Sequence, residues 1–500
     1  MSSHDLSWLV GELRSLAGDL DADESSPPLV IAIDQGGHAS RAIAFDVHGR
    51  SVAESFAPIS TFRAGNDRVE HDAIELVESI RTALADLAQS LGDRIHRVIA
   101  AGLATQRSSI ACWDRRTGKP LAPILSWQDR RNSAFIERLR AHEPEIRERT
   151  GLVLSPHYGA SKLRWCLENI DAVAVAARDK RLVAGPLAAW LLRSLLDERP
   201  VVVDPANASR TQLVDRDTLD WSPALLNTFG IARDVLPRIV PNRHAFGHLT
   251  VGERSIPLVV CTGDQSAMPF AHGPIDERAI YLNIGTGAFM QRLTSTPLVA
   301  EGLLSSIVWL DQRGDTRVAR YGTEGTVNGA GSAIDWLNER VEGAQRAAVA
   351  MTREQAATID PPVFLNAVSG IGSPFWLANA ESRFIGEGNE PAKVIAVVES
   401  IAFLIATNIE RMRSGAERIV TSGGLAANDY LCDCVASLTR LPLERSSLQE
   451  ATATGLAYLI AGEPQSWQPV ADIEVIQPAH DARLTERYHR WQAAVAELSR

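Results

Sequence analysis

Cysteine is scarce in this 500-residue chain: the five, Cys112, Cys166, Cys261, Cys432 and Cys434, are scattered and form no CxxC pair. Neither a zinc knuckle nor a disulfide framework is supported, and a reducing cytoplasm is the expected compartment. Histidine supplies no metal motif either, because the twelve imidazoles are unclustered and none falls at metal-ligand spacing. Cationic excess is absent. A net charge of -11 argues against a nucleic-acid partner, which demands a basic face. The longest apolar run, near Val394 to Ala406, is too short to span a bilayer and carries Glu399, so no membrane partner is expected. The first residues show no cationic-apolar leader pattern. There is no Walker A lysine motif, and no GxGxxG opens a helix after a strand, which disfavours P-loop and Rossmann readings.

What remains is an ordinary globular composition, 45% hydrophobic and 22% charged, long enough for two or three domains. Leu29 to Asp46, LVIAIDQGGHASRAIAFD, reads as two strands joined by a phosphate-sized loop. Leu29 to Ile33 is the continuous apolar run of a buried strand, Asp34 puts a carboxylate at its end, and Gly36-Gly37 lets the backbone turn tightly. Such a tip can cradle phosphate on backbone N–H groups while Asp34 faces a metal. Taken alone, a glycine hairpin without any ligand accounts for it. Downstream, Ala279 to Gly287 again runs from an apolar strand into Gly285-Thr286-Gly287. Two strand-to-glycine-loop units suggest a duplicated domain with a nucleotide between the halves.

Within residues 1–28, Leu6, Leu9, Val10, Leu13 and Leu16 recur at helical spacing before an acidic Ser/Pro-rich linker. From Asp72, an N-cap with Glu75 three residues on, a helix carries Ile74, Val77, Ile80, Leu84 and Leu87 as its apolar stripe. A buried strand then ends at Thr105-Gln106-Arg107, where α/β folds place ligand contacts. In Ser126 to Arg131 a hydroxylated ligand can stack on Trp127 and bond Gln128 and Asp129, and a solvated helix start with a half-buried tryptophan fits equally. His157-Tyr158 with Lys162, and Asn207 to Thr211, are polar loops of the same kind. Val259 to Asp264 is another strand, ending in Gly263-Asp264-Gln265; its carboxylate suits a general base, though a Gly-Asp turn needs no chemistry. Ser422-Gly423-Gly424, with Ala427-Asn428 opening a helix, is a ready site for a nucleotide's ribose or phosphates.

In order along the chain stand DQGGHASRA at Asp34, EHD at Glu70, TQR at Thr105, TGKP at Thr117, WQDRR at Trp127 and TGLV at Thr150. NASRT at Asn207, GDQ at Gly263, GTGAF at Gly285, GIGSPFW at Gly370, VESIAF at Val398 and SGGLAAND at Ser422 follow. This ordered set resembles the FGGY carbohydrate kinases, and within them the glycerol-kinase branch, from about Leu29 to Gly462. The resemblance implies an α/β protein of two ribonuclease-H-like, actin-like ATPase domains with an interdomain cleft. It divides the chain into an N-terminal helical extension and linker at 1–28, a substrate and catalytic-base domain at 29–270, a nucleotide domain at 271–462 and a C-terminal tail at 463–500. It also implies ATP and Mg²⁺ as cofactors, a small polyol or sugar as substrate, and a dimer or tetramer as assembly. By position, Asp264 matches the catalytic base and Gln265 a substrate contact, while Asp34, with Asp264, matches the metal-associated carboxylates. Arg107, Phe289 and Trp127 match the substrate pocket. Gly36, Gly37, His38, Arg41, Thr286, Gly287, Gly424 and Asn428 match the ATP site.

The departures bear on substrate more than on class. Gly36-Gly37-His38 stands where that branch has a GTT loop, so two phosphate-facing hydroxyls are missing. Ser108 stands where an acidic residue is expected after Arg107, and His157 where a tyrosine is expected. A carboxylate replaced by a short hydroxyl gives up a strong charge-assisted bond and opens space. The expected substrate is therefore a polyol or sugar other than glycerol. A catalytically impaired sugar or nucleotide sensor is the alternative, and an actin- or chaperone-like ATPase leaves WQDRR, NASRT and GDQ without a use.

Overall fold

A computed structural model describes residues 27–498 of the chain, leaving out 66, 314–315, 378, 449, 465–466 and 468–471. The helix expected near the N-terminus falls on residues 1–26 and lies outside the described residues. The chain forms two compact units, neither contiguous in sequence. The first comprises Met1–Ile275, Ser306–Tyr321 and Glu450–Val470; the second comprises Asp276–Ser305, Gly322–Gln449 and Ala471–Arg500.

Six strands build the main sheet of the first unit: β1 (Leu29–Gln35), β2 (Ala39–Asp46), β3 (Ser51–Pro58), β4 (Val98–Thr105), β5 (Arg243–Val251) and β6 (Arg254–Gly263), in the order β5-β6-β4-β1-β2-β3. Leu29 to Ile33 are completely buried, as expected of a strand with both faces covered. β1 runs antiparallel to β2 but parallel to β4, and β4 parallel to β6, with Gln35 beside Thr105 and Thr105 beside Gly263. That register brings three carboxyl-terminal strand ends to one edge, and the candidate site residues Asp34, Arg107 and Asp264 lie at or just beyond them.

The helix Ala73–Leu91 covers this sheet with Leu76, Val77, Ile80, Leu84 and Leu87. Ile74, expected in the stripe, is half exposed, because the buried face of a 3.6-residue helix passes through Leu76 and Ile80 instead. Asp72 caps it as expected, accepting from the N–H groups of Ile74 and Glu75, which contributes about 1 kcal/mol. The reciprocal half of a capping box is absent: Glu75 accepts from the Ser60 N–H at 2.8 Å instead.

The helix Ala451–Ile460 also belongs to the first unit, lying against β1 and β4. Its small residues have a steric cause. A Cβ at Gly455 would sit 2.0 Å from the Ala267 carbonyl oxygen, and one at Gly102 of β4 would sit 2.8 Å from Ile460.

The second unit repeats the local plan. β7 (Ala279–Ile284) pairs antiparallel with β8 (Ala288–Thr294) and parallel with β11 (Arg418–Ser422). These strands belong to a seven-stranded sheet with β9 (Leu304–Arg313), β10 (Thr316–Val327), β12 (Leu443–Ser446) and β13 (Ile473–Ile476), in the order β9-β10-β8-β7-β11-β12-β13, of which the stretch Ser306–Tyr321 in β9 and β10 is grouped with the first unit. The helix Glu390–Met412 is long and apolar enough to cross a membrane, yet its most apolar stretch is 94% buried within the fold, which is what a core helix shows. The segment after 463, expected to be a polar tail with a final helix, contributes β13 and the helix Ala482–Leu498. That helix packs Leu484, Tyr488, Trp491 and Val495 into the second unit's core and pairs Arg487 with buried Glu399 at 2.6 and 2.9 Å. All five cysteines are buried free thiols.

Candidate active site

The edge formed by β1, β4 and β6 concentrates carboxylates. Asp34, one residue before the end of β1, is 8% exposed, and its buried Oδ1 accepts no hydrogen bond. Burial pushes its pKa up to about 7, with Asp264 and Glu450 raising it further and Arg41 opposing them. Asp264 follows β6 directly and opens the helical turn Asp264–Ala267. Its Oδ1 accepts from the Gln265 N–H at 2.6 Å and stands 3.9 Å from Arg107 Nε. Gly263 makes that approach feasible, because a Cβ there would collide with Arg107 Cγ and Cδ at 2.6 Å. Sequence reasoning took Gly263 only as a turn residue; its steric role depends on a neighbour 156 positions away, which no local pattern reveals.

The Gly36-Gly37-His38 loop is held by its carbonyls. Gly36 O accepts from the amides of Gln35 and Gln106 at 2.6 and 3.2 Å, Gly37 O from Thr61 Oγ1 at 3.5 Å, and His38 O from the Ile59 N–H at 3.0 Å. The Gly36 N–H closes the hairpin on Ala39 O. No hydrogen bond engages the N–H of Gly37 or His38 among the described residues, so both are available donors. Trp127 comes close, its indole nitrogen 3.7 Å from where a Cβ of residue 37 would sit. His38 is exposed, and Arg41 makes a solvated 3.6 Å pair with Glu450, of the class that contributes at most about 1 kcal/mol.

Beside Arg107, Ser108 adopts φ 66° and buries an Oγ that has no partner. Its carbonyl accepts from Lys162 Nζ at 3.0 Å, and the same ammonium bonds the His157 carbonyl at 2.7 Å. One buried lysine thus ties together the two residues at which the chain departs from the pattern expected of a substrate pocket. Burial lowers the Lys162 pKa to about 7, with Asp129 resisting and Arg131 assisting. Sequence reading named Lys162 only as part of a polar loop. The His157 ring meets Trp127 and Tyr158 edge-on, at 5.5 and 5.3 Å between centroids. Burial, then Lys162 and three arginines, hold its pKa well below the ordinary value, so it is a neutral hydrogen-bonding group.

Two polar loops turn out to be scaffolding. Asp129 is fully buried, chelates Arg131 and accepts from the Val69 N–H at 2.8 Å; Gln128 accepts from Arg63. Asp129 is thereby taken up by the fold and is not available to bond a ligand hydroxyl as considered above, whereas Gln128 keeps its amide donors and Trp127 keeps 37% of its surface exposed. Asn207 sits on the short helix capped by Asp204 and accepts from Thr105 Oγ1 at 3.1 Å.

In the second unit, the Gly285-Thr286-Gly287 loop meets the start of the helix Gly331–Asn338. The N–H groups of Gly331 and Ser332 donate to Gly285 O and Thr286 O at 2.9 and 3.0 Å. Gly287 has no room for a side chain, since a Cβ would lie 2.8 Å from Val327 O, while Thr286 is exposed. Phe289 is half-buried on β8. Gly423, at φ +98°, passes 2.5 Å from Ile284 O as measured from its missing Cβ, and Gly424 faces open space. The Asn428 amide is occupied by the fold: Oδ1 caps the helix Asp429–Thr439 through Leu431 N–H, and Nδ2 donates to Ala348 O.

Residues 29–271 match the N-terminal domain, and residues 280–462 the C-terminal domain, of the FGGY family of carbohydrate kinases. The glycerol kinase of Synechocystis sp. is 32% identical over 445 residues, covering 86% of this chain and 90% of that one. That of Rippkaea orientalis is 31% identical over 490 residues, covering 93% and 97%. Among solved structures, Plasmodium falciparum glycerol kinase with ADP superposes with a TM-score of 0.85 at 24% identity, over 94% of this chain and 98% of that one. Xylulose kinase from Rhodospirillum rubrum gives 0.81 at 19% identity, over 94% and 99%. The chain belongs to the FGGY family of carbohydrate kinases, phosphotransferases that use an alcohol group as acceptor, and has their two-domain, actin-like ATPase fold.

Proposed function

We propose that this kinase transfers the terminal phosphoryl group of ATP to a hydroxyl of a polyol or sugar other than glycerol, with Asp264 as general base. Asp264 takes the proton of the acceptor hydroxyl as its oxygen bonds to phosphorus and the bond to ADP breaks. Arg107 fixes the carboxylate's orientation from 3.9 Å. The backbone donors of Gly37 and His38 would receive phosphate oxygens, with Arg41 nearby on β2. Thr286, Gly287 and Gly424 are the second unit's candidates for the nucleotide, and Phe289 is its candidate for the substrate.

The observation that carries this reading is the strand-end pair Asp34 and Asp264, one of them a buried carboxylate lacking any hydrogen bond on Oδ1. Such an oxygen fits a divalent cation. No group of three or more ligating side chains occurs among the described residues, which suits Mg²⁺, an ion that takes one or two carboxylates and completes its shell with water and phosphates. Asp34 and Asp264 would hold it, and when bound it offsets the charge of the phosphates. The non-glycerol assignment is supported by Ser108 and His157, which offer a neutral hydroxyl and a neutral imidazole.

The test is a coupled ADP-release assay with Mg-ATP against polyols, ketoses and sugar acids, glycerol included. Strong turnover with one acceptor other than glycerol is the expected result, and glycerol turnover at a KM usual for glycerol kinases overturns the substrate assignment. Silence across the panel with ADP still bound by calorimetry would establish the sensor reading instead.

A further inference from the structure

None of the candidate site residues lines a depression of about 260 Å³ on the first unit, several times the ~30 Å³ share of one water. Its walls come from three places: Ile74, Val77, Glu78 and Arg81 on the helix Ala73–Leu91, the Thr117-Gly118 turn, and the helix Leu187–Leu195 with Arg199 just beyond it. Three guanidinium groups face a single carboxylate. Arg81 is fixed, donating to Glu78 at 2.6 Å and to the Ser194 carbonyl at 3.0 Å. Arg193 and Arg199 have no ion-pair partner among the described residues: Asp197 pairs with neither, and Glu198 is turned away to bond His248 through both ring and backbone at 2.7 Å.

Two features show that the cations are placed rather than merely exposed. Arg193 lies against Gly118, where a Cβ would be 3.0 Å from its Nη2 and where φ of +71° favours glycine. Burial and the neighbouring charge of Arg199 both push the Arg193 pKa down, so these two cations repel each other without an ion-pair partner of their own among the described residues. In a chain of net charge -11, this concentration of unneutralised arginine is a local exception. Guanidinium forks recognise phosphate oxygens bidentately, and an anion seated between Arg193 and Arg199 would relieve their repulsion.

We propose that the depression walled by Arg81, Arg193 and Arg199 is a binding site for a phosphate group, free or carried on a small metabolite. The assignment does not depend on the kinase's acceptor. Calorimetric titration of the full-length protein, saturated with ADP, with inorganic phosphate and with pyrophosphate tests it, beside the double variant Arg193→Gln/Arg199→Gln. The wild type should bind with an affinity that falls as salt is added, and the double variant should lose that site, weakening binding about tenfold or more. Arg193→Lys/Arg199→Lys, which keeps the charge but not the fork, should retain weakened binding. Phosphate and pyrophosphate binding equally well would point to a free monophosphate, and a clear preference for pyrophosphate to a larger phosphorylated ligand. Identical titrations of wild type and double variant, or no heat from the wild type beyond dilution, overturns the site. Unchanged ADP affinity and thermal unfolding in the double variant would show that a lost site is not lost folding.

Discussion

The two glycine loops are built on one plan and differ most in chemistry at the residue two before the first glycine. In each, a buried strand pairs antiparallel with its successor and parallel with a later strand, β4 in one case and β11 in the other. Two residues before the first glycine the first loop carries Asp34, whereas the second carries Asn283. Asn283 is neutral and donates to Ser422 Oγ at 3.2 Å; Asp34 leaves an oxygen without a bond, and its pKa rises to about 7. A fold optimised only for stability would put the amide in both places. Under the proposed mechanism the buried carboxylate belongs to the unit in which bonds are made and broken, and the second loop, all backbone and a threonine, is left the task of holding the nucleotide.

Replacing each carboxylate by its amide tests this asymmetry most severely. Asp264→Asn should lower kcat by about 10²–10⁴-fold with ADP affinity intact, read by steady-state kinetics and calorimetry. Unchanged turnover would remove Asp264 from the role of base. Asp34→Asn, which makes the first loop resemble the second, should also cost turnover by orders of magnitude but should not lower the unfolding midpoint, because it removes a desolvated carboxylate. A drop in stability with activity retained would reverse the comparison.

Next in size, Glu399→Ala leaves Arg487 buried and unpaired and should destabilise the second unit by about 3–5 kcal/mol. Urea unfolding followed through tryptophan fluorescence would measure it, and a loss under about 1 kcal/mol would mean that the C-terminal helix is not integral.

Lys162→Met should raise the KM for the acceptor about tenfold while leaving the KM for ATP unchanged, since it frees the Ser108 and His157 carbonyls only. It carries a pH signature as well. With a folded pKa near 7 against 10.5 unfolded, the unfolded chain binds more protons across that interval, so wild-type stability rises as pH increases from 7 towards 10.5. Below pH 7 the penalty is complete and constant. The methionine variant should lack the rise, and an equal slope in both proteins would refute a buried ammonium.

The smallest effect belongs to the first loop. His38→Thr restores a hydroxyl at an exposed site and should improve kcat/KM for ATP by the few-fold that a hydrogen bond of about 0.5–1.5 kcal/mol provides. No change would show that the loop's backbone donors alone serve the phosphates.

Much of this architecture could be read from the chain because the pattern is local. Continuous apolar runs ending in Asp34 and Asp264, and the glycines after β7 and β11, are all short-range signals. What escaped is set by distance in the sequence. Asp129 and Trp127 are near neighbours in one motif, yet one is fully buried against Arg131 and the other faces outward, a distinction that only the packing of Trp165 and Val69 decides. Lys162 looks like any surface lysine until the helix Gly159–Asn169 folds it under two loops. Residues 482–498 have a legible amphipathic stripe, but its partner Glu399 lies more than eighty residues upstream.

The helix Ala451–Ile460 also has a consequence for the order of synthesis. β1 and β4 leave the ribosome early, but the helix they pack against is made near the end of the chain. At about 5–20 residues per second, the first unit's sheet waits tens of seconds for that cover. Until then the face of β1 and β4 that this helix covers lacks its final partner, which makes it a transiently exposed apolar surface during synthesis.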